Sequence, residues 1–136
     1  QEMKNLAGSL GISEKVKFIG HIPPDEVFNF WRSLDVACVP SNVEGFPLSL
    51  LEAMACGLPI VGYEEPGIKE AIGDMGILLP VGDIDGLAKT LKKVIEDEML
   101  RVKLSDMSLK RSKQFTKENM IKQIIKVYED ALNNKV

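Results

Sequence analysis

The sequence predicts an α/β domain with a largely parallel sheet, and three observations carry that expectation. Short runs rich in β-branched residues alternate with stretches of helical period from residue 16 to residue 95. One such run, DVACVP at 35–40, is short and apolar inside, as a buried strand should be. At 136 residues, with 45% hydrophobic and 27% charged residues, the chain has the size and composition of one globular domain with a genuine core.

Taken in order, residues 2–10 form a short helix ended by Gly11, and residues 16–19 a first strand closed by Gly20. A helix follows over 24–34, with Val27, Phe28, Trp31 and Leu34 on one face, Trp31 and the nearby phenylalanines belonging to the core. Residues 35–40 are the second strand. Pro47 opens the next helix at its first position, with φ already set, and Leu48, Leu51, Met54 and Ala55 face inward until Gly57. Residues 59–61 and 76–79 are the third and fourth strands, separated by a short helical turn at 67–72. Asp83 caps an amphipathic helix carrying Ile84, Leu87, Ala88, Leu91, Val94 and Ile95. Two more helices follow, over 98–113 and after the cap Thr116, the last with Ile121, Ile124, Ile125, Tyr128 and Leu132 as its inner face. The whole chain, 1–136, reads as one partial domain, α/β over 1–99 and helical over 100–136, with no internal repeat.

The net charge of −3 conceals a split. Residues 1–99 carry 8 basic and 16 acidic residues, a balance of −8, and residues 100–136 carry 9 and 4, a balance of +5. A basic tail behind an acidic body suits a solvated helix face, or peripheral contact with an anionic membrane surface or another domain. Nucleic acid is not expected, because the tail lacks a pattern of aromatic residues interleaved with its basic ones and the body is acidic. Cys38 and Cys56 have no partner at metal-ligand spacing, the pattern of buried, reduced thiols in a cytoplasmic protein. No apolar run approaches the roughly 20 residues of a membrane span, and no signal peptide opens the chain. It starts at Gln1 with a helix under way at Glu2, which reads as a fragment of a longer protein.

The densest chemistry lies in EGFPLSLLEAMACG, residues 44–57. Glu44 ends a strand and its loop, a Gly-Phe-Pro turn follows, and Glu52 sits between the first and second turns of the helix. A helix start leaves backbone N–H groups without intrahelical partners and carries the positive end of the helix dipole, so it favours an anion such as a diphosphate. The two carboxylates remain to accept hydrogen bonds from sugar and ribose hydroxyls.

Four stretches, VKFIGHIP (16–23), LDVACVPS (34–41), EGFPLSLLEAMACGLPIV (44–61) and GIKEAI…GILLPVGDIDGLAKTL (67–91), resemble the C-terminal half of GT-B glycosyltransferases of retaining family 4, the glycosyl transferases group 1. VYEDAL at 127–132 resembles the closing helix of that family. The resemblance implies a Rossmann-like parallel sheet flanked by helices, truncated at its N-terminus, that binds a sugar-nucleotide donor. It implies that Glu44 contacts the donor sugar near its 3-position as the catalytic carboxylate. The N–H groups of Phe46, Leu48 and Ser49 would face sugar and diphosphate, Glu52 the ribose, and His21 and Ile22 the base. Many members have glycine where this chain has Pro47, so one N–H contact is lost.

The family's domain normally opens with two further strands, the basic pair that neutralises the leaving diphosphate following the first, and neither they nor the acceptor-binding domain are present. In the family's sheet order the missing strands lie between the first two strands of this chain, which predicts an exposed edge open to dimerisation. The activity implied is transfer of a sugar, with retention, from a nucleoside diphosphate donor (UDP by its commonness) to a glycan or lipid-linked acceptor. The setting implied is bacterial cell-surface polysaccharide or lipopolysaccharide synthesis at the inner face of the membrane. No metal or other cofactor is expected, and the fragment alone should be inactive.

Structural readings compete at several positions. Ser41 suits a turn, Ser49 a helix cap, and Glu70 an ordinary helix residue. Asp83-Ile84-Asp85 spells an Asp-x-Asp metal motif, yet it opens an amphipathic helix, where capping and the dipole explain both acids. Competing functions are a non-catalytic sugar-nucleotide-binding or scaffolding module and a sugar-nucleotide epimerase on the same fold.

Overall fold

The computed structural model describes residues 1–133. In chain order it comprises α1 (Glu2–Ser9), a 3-10 turn (Ser13–Lys15), α2 (Val27–Arg32), β1 (Ala37–Val39), α3 (Leu48–Ala55), β2 (Ile60–Tyr63) and α4 (Pro66–Ile72). β3 (Ile77–Leu79), α5 (Ile84–Glu96), α6 (Glu98–Ser112) and α7 (Lys117–Asn133) follow. The three strands form one parallel sheet in the order β1-β2-β3, with Cys38 opposite Val61 and Gly62 opposite Leu78.

Both crossovers step in the same direction across the sheet, so right-handed connections put α3 and α4 on one face. α5 returns over the other, and α6 then packs along α3, its last turn reaching the end of α4. Alternation along β2 divides the core to match. Ile60 joins Leu50, Met54, Ile68 and Ile72 on the α3–α4 side, while Val61 and Tyr63 join Leu87 and Val94 of α5, with Leu104 of α6 completing that cluster. Gly62 lets β1 and β2 approach closely, since a Cβ there would come within 2.7 Å of the Val39 carbonyl oxygen. The fold is thus the expected α/β architecture, a parallel sheet with helices on both faces.

Several expected details differ. Among the described residues no ladder forms at 16–19, although Val16 is extended (φ −116°, ψ 120°), because no described strand pairs with it. Phe18 and Ile19 are exposed there. The inward face of α3 is Leu50, Ala53 and Met54. Leu48 and Ala55, expected inside, are exposed, a phase error of one to two positions. Phe28 is also exposed, whereas Trp31 and Leu34 pack against the core as expected. Cys38 is exposed and Cys56 half-buried, so neither is the buried thiol expected. Local packing nonetheless pushes the Cys38 thiol above its ordinary pKa, which disfavours a reactive thiolate.

The largest difference concerns α7. Its supposed inner face is exposed throughout, from Ile121 at 44% to Leu132 at 70%, because no described element packs against it. Residues 134–136 of the expected tail lie outside the described residues. No helix among the described residues is long and apolar enough to cross a membrane.

Candidate functional site

Parallel strands bring their carboxyl ends to one side, and the loops that leave β1 and β2 meet there. The first runs from Pro40 to Pro47 and carries Glu44; the second passes Glu64 and Glu65 into α4. Their approach is tight. A Cβ on Gly67 would fall 1.9 Å from the Gly45 carbonyl oxygen and 2.5 Å from that of Glu44. The start of α4 therefore seats the Glu44–Gly45 backbone directly, and only glycine fits.

Pro47 is the N-cap residue of α3 (φ −78°, ψ 100°) rather than its first helical residue, one position earlier than expected. No side chain caps this helix, so Ser49, which is exposed, does not serve as the cap. Among the described residues the N–H groups of Phe46, Leu48 and Ser49 donate to no protein acceptor. The four helices that follow are each capped by a side chain. Glu65 accepts from Gly67 N, Asp83 from Gly86 N, Asp97 from Leu100 N and Thr116 Oγ1 from Asn119 N. Asp83 is thus the helix cap that the sequence suggested.

Glu44 is half-buried and its carboxylate has no hydrogen-bond or ion-pair partner among the described residues. Glu52, also half-buried, accepts from the Trp31 indole Nε1 through Oε2 at 3.3 Å, which leaves Oε1 open. Both carboxylates thus keep acceptor capacity beside the uncapped helix start.

The Phe46 side chain points away from these groups, toward the end of α6. Its ring packs 5.7 Å from that of Phe115, over which the Arg111 guanidinium lies at 4.8 Å. Arg111 also donates to the carbonyls of Ala71 (2.9 Å) and Glu70 (2.6 Å), closing the end of α4. Phe46 and Leu48 line an open cavity of about 700 Å³ with Arg111, Phe115 and Glu70. Glu44, Ser49 and Glu52 do not border it, so this cavity lies beside the two carboxylates rather than around them.

The structure therefore brings Glu44, Phe46, Leu48, Ser49 and Glu52 to one strand–loop–helix junction. His21 is exposed and Ile22 half-buried in an irregular segment, and among the described residues neither bonds to that junction. Sequence reasoning missed Gly67, Trp31 and Arg111. Pro66-Gly67 looks like any turn, and Arg111 lies 40 residues from the carbonyl it caps. Trp31 offered a usable signal, because a packed indole N–H needs an acceptor.

A parallel sheet covered on both faces, with an open helix start at the carboxyl ends of its strands, is the arrangement of Rossmann-like α/β domains. The chain belongs to the family Glycosyl transferases group 1, whose model matches residues 1–111. It is 33% identical over 132 residues, 96% of this chain, to a D-inositol 3-phosphate glycosyltransferase of Corynebacterium jeikeium (strain K411), and covers 32% of that protein. It is 29% identical to O-antigen chain mannosyltransferase B of Escherichia coli over 114 residues, 84% of this chain and 30% of that one. The sucrose-phosphate synthase (tll1590) from Thermosynechococcus elongatus shares the fold, with a TM-score of 0.87 at 24% identity over 98% of this chain and 34% of that one. Anabaena Alr3699/HepE, solved in complex with UDP, superposes with a TM-score of 0.85 at 24% identity over 95% of this chain and 36% of that one. The chain thus spans about a third of the length of the relatives it matches.

Proposed function

We propose that this chain is the donor-binding part of a retaining glycosyltransferase that takes a sugar from a nucleoside diphosphate sugar. The observation that carries the reading is the entry to α3, where the N–H groups of Phe46, Leu48 and Ser49 have no protein acceptor and the flanking residues Glu44 and Glu52 keep unused carboxylate oxygens. In this reading the N–H groups of Phe46, Leu48 and Ser49 and the helix dipole receive the diphosphate, where negative charge grows as the sugar departs. Glu44 orients the sugar hydroxyls and meets the positive charge that develops on the ring, without forming a covalent intermediate. Glu52 accepts from the ribose, and the segment with His21 and Ile22 lies toward the base. Charge on the leaving group is balanced by N–H donors and basic side chains, so the reading calls for no metal.

Family membership supports glycosyl transfer for the whole protein; the reading adds a glycan or lipid-linked acceptor in cell-surface polysaccharide synthesis, with UDP as the leading nucleotide. The test is titration of the chain with UDP, GDP and ADP, followed by amide chemical shifts. Saturable shifts at residues 44–52 that weaken roughly tenfold or more in Glu52→Ala are expected. In the full-length protein, Glu44→Gln should lower turnover by about a hundredfold with stability unchanged. Near-normal turnover in that variant would remove Glu44 from the mechanism.

A further inference from the structure

Trp31 is the one tryptophan of the chain, and nothing in the donor-site reading uses it. It lies on α2, which packs across α3, with its indole half-buried against the core and its ring 5.3 Å from that of Phe30. Packing on two sides fixes the ring, and its Nε1–H points at Glu52 Oε2, 3.3 Å away.

From this geometry we propose that Trp31 is a positioning residue, whose indole N–H holds one oxygen of Glu52 so that the other meets the ribose hydroxyls of a nucleoside diphosphate. The proposal rests on the donor-site reading and deepens it. A glutamate on an open helix face samples several rotamers, and a ligand must order it on binding. The bond to a packed indole orders it beforehand. The chemistry is also one-directional. An indole N–H only donates, so it can hold a carboxylate oxygen as an acceptor and can do nothing else there. The open Oε1 of that carboxylate suits the paired donors of a ribose diol and has no counterpart on a dideoxyribose. Trp31 thereby contributes to selection of ribonucleotides.

Two measurements test this, and they fail separately. With a single tryptophan, the indole N–H gives one assignable NMR signal. Glu52→Ala should move that signal and speed its exchange with water in the free chain. An unchanged signal overturns the proposal whatever binds. The second measurement compares UDP with 2′,3′-dideoxy-UDP in the wild type and in Trp31→Phe, after thermal unfolding confirms that the variant is folded. Trp31→Phe should weaken UDP about fivefold and the dideoxy nucleotide less than about twofold. An equal loss for both ligands, or none for either, reduces Trp31 to a packing residue and overturns the proposal. If the wild type binds none of UDP, GDP and ADP, the donor-site reading itself falls and takes the ribose role with it, while the indole signal still decides whether Trp31 holds Glu52.

Discussion

α3 and α5 begin in opposite ways. Asp83 turns its carboxylate onto Gly86 N at 2.9 Å, so α5 satisfies its own first turn and its positive end is already matched by an acid. α3 begins at Pro47, which has no side-chain oxygen to offer, and its exposed donors at Leu48 and Ser49 stay open. The start of α3 is held from outside instead. Gly67 seats the Glu44–Gly45 backbone, Phe115 packs against Phe46, and Trp31 bonds to Glu52. Under the proposed donor-site reading, the difference teaches how an anion receptor would be built. The helix keeps its donors unspent, and neighbouring elements supply the rigidity that a cap would otherwise give.

The comparison breaks most severely at Gly67. Alanine there must push the Glu44–Gly45 loop away, because backbone oxygens 1.9 Å and 2.5 Å from the new Cβ leave no room. We expect Gly67→Ala to cost about 3 kcal/mol in urea unfolding and to abolish nucleotide shifts at residues 44–52. Stability within about 0.5 kcal/mol of wild type would show that α3 does not depend on this seat.

Asp83 gives the converse test, with a smaller effect. Asp83→Ala should cost about 1 kcal/mol of stability, the usual loss for a removed N-cap, and leave nucleotide affinity unchanged. If it weakened nucleotide binding, α5 would share the receptor role and the contrast with α3 would collapse. The two variants together separate an acid used for folding from the carboxylates that the donor-site reading assigns to a ligand.

Much of this contrast was legible in the sequence. Apolar runs and helical period announced the parallel α/β sheet, since those patterns reflect burial on one or both faces. Asp83 as a cap and the 44–57 junction were equally plain, because both depend on neighbours within a few residues. What escaped depends on distant partners. Residues 16–19 have strand composition, but a strand needs a partner, and no described strand pairs with them. The apolar stripe of α7 promised a buried face, yet periodicity says only that a face is suited to burial, and no described element covers it. Trp31 and Glu52 lie 21 residues apart and meet only because α2 packs across α3.

The smallest expected effect sharpens the comparison at α4. This helix resembles α5 in spending an acid on its own start, with Glu65 accepting from Gly67 N at 3.2 Å. The preceding Glu64 is spent too, in an exposed pair with Lys69. The hydrogen bond and then the charge of Glu64 raise the Lys69 pKa above its ordinary 10.5. Because the folded value is the higher one, whatever stability the pair adds is fully present below that ordinary value and fades as pH rises through the folded value. Exposed pairs of this kind contribute little and are screened by salt. Lys69→Met should therefore leave the unfolding midpoint nearly unchanged from pH 6 to 9, with any difference from wild type shrinking further above pH 11. Nucleotide affinity should not move either, although Lys69 stands two residues from Gly67. A clear loss of affinity in Lys69→Met, reversed by Lys69→Arg, would mean that the ligand reaches α4 and that its charge is shared. In that case the open start of α3 would be half of the anion site, and α4 would belong with α3 rather than with α5.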